Sequence, residues 1–423
     1  MESGTEGARA SRGAKRRAVI SLGLLTVLVV TIVSSAHGAP STKKYQAYVV
    51  AANAASTSFR LTLTNDSTSQ QTLGSANFTA PPNFTSLSVS STPVTSTDGH
   101  SWNICIGDGM VCGAGNVVQF RAASNGDAIA PGQSVSATVS LTLPASPALC
   151  TSAAWLSAAK QSNDFSGTNN DFAFKAGDLT PLGSFSWASI GVQTTGTQFT
   201  PTVTAKDTCG ATKGDYTGAF PYSGNTLTHV GLTGATFSGL TWSGGVGSVH
   251  ITPNVAETQN SLTETDSLTT ISATSNLFDV VDVLCTSNGN KCHAQDAPGN
   301  TLADSPVPPA GAALGFGFNH LYTFACGSIA PIGSFVIIDP SGYTSNYQVT
   351  LTYKKSISGS NPANNFVVCY SKDNGVSWVA APNCATATGP TPCVLSRKRV
   401  SGGDLQVVLL LGPNDPPVGS GFG

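Results

Sequence analysis

The chain has 423 residues, a formal net charge of −2, 40% hydrophobic residues and only 10% charged ones. With aromatics at 8%, this excludes disorder driven by charge, and the even charge balance excludes a basic nucleic-acid binder. Lys and Glu are scarce and Met occurs twice, which excludes a long-helix protein and leaves a Thr-, Val- and Gly-rich β chain.

The N-terminus reads as an export signal. Arg9, Arg12, Lys15, Arg16 and Arg17 precede an apolar run from Val19 to Val33, and the small residues Ser34 to Ala39 follow. This order predicts a signal peptide over 1–38, cut after Gly38 with Ala36 at the minus-three position. The apolar run is shorter than the roughly 20 residues of a spanning helix, so an uncleaved anchor is the lesser expectation. The leader carries five of the 20 basic and two of the 22 acidic residues, so the remainder has 15 basic, 20 acidic and a net charge of −5. Neither anionic lipid nor nucleic acid is attracted by such a surface. Secreted, extracellular or wall-associated localisation is expected, with no membrane contact after cleavage.

Three modules are expected beyond the leader, at about 150 residues per domain. The first spans 41–177. Within it, Phe59 to Thr64 and Val135 to Leu143 alternate apolar and polar residues, the period of a half-buried strand. Ser152 to Gln161 is the only helix-compatible stretch, and its Ala and Trp residues fit a strand equally. The second module spans 178–275 and contains the alternating run Phe199 to Ala205. The third spans 276–412, with Tyr347 to Tyr353 alternating likewise, and 413–423 reads as a flexible tail. Turn clusters at Asn65-Asp66-Ser67, Ala130-Pro131-Gly132-Gln133, Ser243-Gly244-Gly245 and Asp373-Asn374-Gly375 separate the strands. The expected fold class is all-β: stacked antiparallel sandwiches.

All ten cysteines lie beyond the leader, and an even count in an exported chain argues for disulfides. Spacing suggests Cys105–Cys112 and Cys285–Cys292 as short-loop bridges, and Cys150 with Cys209. Cys326, Cys369, Cys384 and Cys393 make two more, their connectivity open.

The stretch Gln193 to Asp207, followed by Asp215-Tyr216-Thr217-Gly218, resembles the opening strands of a bacterial Ig-like repeat. Ser261 to Asp266 and Asn276 to Val280 resemble its closing strands. The first and last modules are similar to those of secreted and surface proteins of high-GC Gram-positive bacteria. The resemblance implies tandem Ig-like domains without assigned chemistry.

Chemical motifs are few. Ser371-Lys372-Asp373-Asn374-Gly375-Val376-Ser377-Trp378 fits the Asp-box pattern of sialidases and other β-propeller glycosidases, with Ser371, Asp373, Gly375 and Trp378 at its fixed positions. It occurs once, without propeller repeats, and reads as a structural hairpin. Glu257 and Glu264 are expected to face water, and Asp279 and Asp282 to flank a strand end, so neither pair makes an acid–base dyad. His100, His229, His250, His293 and His320 show no ligand spacing. Asp164 to Asp171 places oxygen donors at alternate positions, as a calcium loop does, but lacks the glycine and terminal glutamate of an EF-hand; an ordinary polar turn is expected. Gly107-Asp108-Gly109 precedes no helix and does not read as a phosphate loop. Asn65, Asn77 and Asn83 read as polar turn residues.

No cofactor and no catalysis are expected. The leading expectation is a non-enzymatic extracellular spacer or adhesion module with an unidentified extracellular or cell-wall ligand, using loops such as Ser101–Gly115 and Thr286–Pro298. The alternative is a carbohydrate-binding protein, with Trp102, Trp187, Trp242 or Tyr343 stacking on sugar rings.

Overall fold

Strands fill the computed structural model, which describes residues 42–422 apart from 91–92, 146–148, 288–290, 320–325, 327–331, 372–376, 414 and 416–419. The leader read at 1–38 lies outside the described residues. Among these residues, no helix is long and apolar enough to cross a membrane, and the α-helix present is the single turn Lys355–Ser358. The fold is all-β.

The first sheet is a ten-stranded path. It runs through Thr85–Val89, Ser134–Thr142, Ser58–Asn65, Lys44–Ala51, Asp171–Asp178, Leu156–Lys160, Ser75–Thr79, Val117–Ala122, Ser101–Gly107 and Val94–Thr95. The two runs with the clearest alternation pair in register: Phe59 faces Val139, Leu61 faces Ala137 and Leu63 faces Val135. All six are buried, while the Ser and Thr between them turn outward or to the half-buried face. Of the two readings open for Ser152 to Gln161 the fold takes the strand, Leu156–Lys160, paired with both Ser75–Thr79 and Asp171–Asp178. Two strand edges there need a partner, and that tertiary demand outweighs the helix preference of Ala.

The middle residues form a four-stranded sheet containing Leu182–Trp187 and Thr202–Asp207, and a five-stranded sheet built on Glu257–Asp266. Gly244 and Gly245, at φ +57° and +75°, close a two-residue hairpin between Ser243 and Val246, where a side chain at either position is strained. Phe278–Val281 pairs with Gln193–Thr194 and Glu257–Asp266, so these sheets continue beyond the boundary expected at 275. Phe278 and Val280 belong to the middle core, a relation that a composition shift does not register.

The last residues form a six-stranded and a five-stranded sheet enclosing one core, in which Phe316, Val336 and Ile338 meet Val349, Leu351, Val407 and Leu409. Ser420–Phe422, expected to be flexible, is a short strand between Ile332–Ser341 and Val368–Tyr370. It supplies the ladder partner both neighbouring backbones need.

Beyond Ser41 the chain is one compact unit. A continuous apolar cluster runs from Tyr45, Phe59 and Trp155 to Phe185, Val203, Tyr216 and Tyr222, joining the first and middle sheets. Five disulfides are present: Cys105–Cys112, Cys150–Cys209, Cys285–Cys292, Cys326–Cys369 and Cys384–Cys393. Among them, Cys150–Cys209 ties the end of the first region to the middle one. Such a set marks a chain that folds in an oxidising compartment.

The middle and last sheets meet through Ala256, Val281 and Ile337. Glycine permits this approach. A Cβ on Gly317 falls 2.6 Å from the Ala256 Cβ, and one on Gly315 falls 2.7 Å from Val281 Cγ1. Gly317→Ala is therefore expected to destabilise the protein by about 1–3 kcal/mol through overpacking, measured by denaturant unfolding. An unchanged midpoint would show that the contact is loose.

Candidate functional site

A groove of about 570 Å³ opens on the last pair of sheets. Tyr343 and Asn346 lie in the connection from Ile332–Ser341 to Tyr347–Tyr353, and Tyr347 begins the second of these strands. Their neighbours in the groove include Ser305, Pro306, Val307 and Thr388. The Asn346 side-chain amide donates to the Thr388 carbonyl at 2.8 Å, and Ser305 Oγ donates to the Gln348 carbonyl at 3.1 Å. These bonds fix both walls. The Tyr343 and Tyr347 rings lie 4.4 Å apart at 40°, one half-buried and the other buried. Burial raises both phenol pKa values, so each hydroxyl keeps its proton and serves as donor and acceptor. Among the described residues, no Asp, Glu, Lys, Arg or His lines the groove. An apolar floor with a few fixed polar groups is the setting for a neutral ligand.

A second constellation is internal. Lys213 has no exposed side-chain surface, and its ammonium lies 2.7 Å from the buried Asp178 carboxylate and 2.9 Å from Asp215. Nearby, Asp266 accepts from Tyr216 Oη at 2.9 Å, and from Leu268 N, Thr269 N and Thr269 Oγ1. Two residues back on the same strand face, Glu264 is fully buried and neither of its oxygens has a hydrogen-bond partner. Burial, with the Asp266 charge behind it, pushes the Glu264 carboxyl up to about 8. At the next junction, burial and the Asp279 charge push Asp339 up to about 7.

No protein-family model matches the chain, and no curated protein matches it. The local chemistry alone therefore carries the reading.

The expectation that Glu257 and Glu264 face water is corrected: both are buried, on the strand Glu257–Asp266. The signal was in the sequence, because Glu264 is in phase with Leu262, and a residue two from an inward leucine also points inward. Asp279 is buried too, accepting from the Gln259 amide at 2.7 Å. Asp282 does flank a strand end, between Phe278–Val281 and Val283–Thr286, and accepts from Thr195 Oγ1 and the Phe318 amide.

Trp102 is wholly buried and offers no stacking face. Trp187 donates to the Ala273 carbonyl, and Trp242 packs on Tyr216 and Phe185. Only Tyr343 of the four proposed aromatics lines the groove. The Ser101–Gly115 stretch, expected as a contact loop, begins with the strand Ser101–Gly107, and Thr286–Pro298 contains the strand Cys292–Gln295. Asn65 is buried, and Asn77 lies on a strand rather than a turn.

In the Asp-box segment, Ser371 is buried and the Trp378 ring lies 5.3 Å from Phe335; Asp373 and Gly375 lie outside the described residues. His320 does as well. His293 meets Asp304 at 2.7 Å, and the His229 ring stacks on Phe237. In the Asp164–Asp171 loop, Lys43 and Lys160 donate to the carbonyls of Asn169 and Gly167, placing ammonium groups on oxygens a cation would need. Asp108 Oδ1 accepts the Met110 and Val111 amides inside the Cys105–Cys112 loop.

The raised carboxyls fix a pH dependence. A carboxyl with a raised folded pKa binds its proton more tightly in the folded state than in the unfolded one. Its contribution is fully present below the unfolded value, 4.5 for Glu264, and is lost as pH rises through about 8. The melting midpoint is expected to fall from about pH 5 to about pH 8, and Glu264→Gln, which cannot ionise, to flatten that fall. An equal slope in both proteins contradicts the assignment.

Proposed function

We propose that the chain is a secreted or cell-surface, non-enzymatic protein of tandem Ig-like sandwiches, a spacer or adhesion module whose contact site is the tyrosine groove. Its ligand is a neutral segment of extracellular or cell-wall polysaccharide. The observation that supports this reading is the uncharged groove with its paired Tyr343 and Tyr347 rings. Sugar rings present C–H faces that stack on aromatic rings, and hydroxyls that bond to amide and hydroxyl groups such as those of Asn346, Ser345 and Gln348.

Hydrolysis of a glycan needs two carboxyl groups flanking the scissile bond. The groove's described lining has none; Glu264, Asp266 and Asp279 are buried and Asp339 is half-buried. These features support binding without turnover. The five disulfides fit a scaffold that works outside the cell.

The test is retention on immobilised cell-wall polysaccharide. The wild-type chain is expected to be retained, and Tyr343→Ala to bind about tenfold more weakly, ~1.4 kcal/mol, with unchanged circular dichroism. No retention of the wild type, or equal retention of both, overturns the reading.

A further inference from the structure

The Lys213–Asp178 pair brings a nitrogen nucleophile and a carboxyl carbon together away from bulk water. Lys213 Nζ lies 2.7 Å from Asp178 Oδ1 and 2.7 Å from Oδ2. Equal distances to both oxygens place the nitrogen about 3 Å from the carboxyl carbon, at reacting distance, and rotation about the Asp178 Cβ–Cγ bond turns the carboxyl face toward it. Both side chains are buried, 0% and 8% exposed. A buried ion pair carries a large desolvation cost, whereas a neutral amide in the same place does not.

We propose that Lys213 and Asp178 condense in the folded chain to an intramolecular isopeptide bond, joining the end of the strand Asp171–Asp178 to the segment after Thr202–Asp207. The Nζ–Cγ bond forms and one Cγ–Oδ bond breaks. Two of the three ammonium protons leave on that oxygen as water, so the step is balanced without oxidant or reductant.

The surrounding groups match this chemistry. Asp215 Oδ1 lies 2.9 Å from Nζ and is 62% exposed, so it takes the first proton and relays it to the departing oxygen. The Thr180 amide donates to Asp178 Oδ1 at 3.1 Å and stabilises the charge that develops there. The Tyr222 ring lies 5.8 Å from Nζ and helps to exclude bulk water. Burial raises the Asp178 pKa even against the opposing effect of Lys213, which favours the neutral, electrophilic carboxyl. A cavity of about 260 Å³, lined by Asp178, Asp215, Phe220 and Tyr222, gives the released water its exit.

The backbone holds both partners in place. Lys213 N donates to the Ala205 carbonyl at 2.9 Å. Gly245 lets the neighbouring hairpin close on the lysine, since a Cβ there meets the Lys213 carbonyl at 2.2 Å.

Tryptic mapping of the reduced, alkylated, full-length protein tests the proposal. Trypsin does not cut after an acylated lysine. The peptides carrying Asp178 and Lys213 are expected as one branched species, lighter by one water than their sum. Asp178→Ala is expected to abolish it; Asp178→Asn, which releases ammonia instead of water, to retain it; and Asp215→Asn to lower the linked fraction. A wild-type linear peptide ending at Lys213, at full mass and with no branched species, overturns the proposal whatever the variants do.

Discussion

One buried lysine nitrogen sets the terms for the junction between the first and middle sheets. The Lys213 side chain has no exposed surface, so until it condenses with Asp178 its charge must be met within the protein, and Asp178 and Asp215 meet it. An ion pair of this kind adds little to stability against a well-packed apolar alternative, yet removing one partner strands the other charge. Its effect is therefore to fix position: the last strand of the first sheet can end only where Asp178 reaches Lys213. Tyr222 packs over the same nitrogen, and its hydroxyl accepts the Leu182 amide, so the first strand of the middle sheets starts from the same point. The Cys150–Cys209 bridge and the apolar cluster from Tyr45 to Tyr216 reinforce that placement.

The scarcity of charge takes on a different meaning in this setting. Several of the few acidic groups are internal: Asp66, Asp178, Glu257, Glu264, Asp266, Asp279 and Asp296 are all buried. Some are fully bonded. Burial works against Asp66, but bonds from Lys175, Thr68 and Gln46 outweigh it and hold its carboxyl well below the ordinary range. Glu264 has no such partners, and its proton is held by burial instead. Outward strand positions carry Ser and Thr, as in Thr62 paired with Ser136 and Thr263 with Thr274. Solvation there rests on hydroxyls rather than on Lys and Glu.

Alternation revealed the strands Ser58–Asn65, Ser134–Thr142 and Tyr347–Tyr353, and part of Thr202–Asp207, because it is local: Phe59, Leu61 and Leu63 declare their face within six residues. Cysteine spacing likewise suggested three bridges that the fold forms, while Cys326–Cys369 and Cys384–Cys393 needed the strands in place to become distinct. What was not legible depends on neighbours distant in sequence. Leu156–Lys160 is a strand because two edges require one, and Ser420–Phe422 fills a gap between strands about 50 and 85 residues away. Tyr343 was visible as an aromatic, but its partner Tyr347 and the Thr388 wall belong to the groove only through the tertiary fold. Glu264 was the legible residue that was misread, since its phase with Leu262 outweighs its charge.

The central claim is that the first and middle sheets are one cooperative body joined where Lys213 meets Asp178. Native-state hydrogen exchange tests it most directly by comparing the amides of Lys44–Ala51 with those of Thr202–Asp207. The account predicts that both sets exchange through the same opening, with equal free energies and equal dependence on denaturant. Exchange of Thr202–Asp207 through a separate, lower-energy opening, with Lys44–Ala51 still protected, would contradict it.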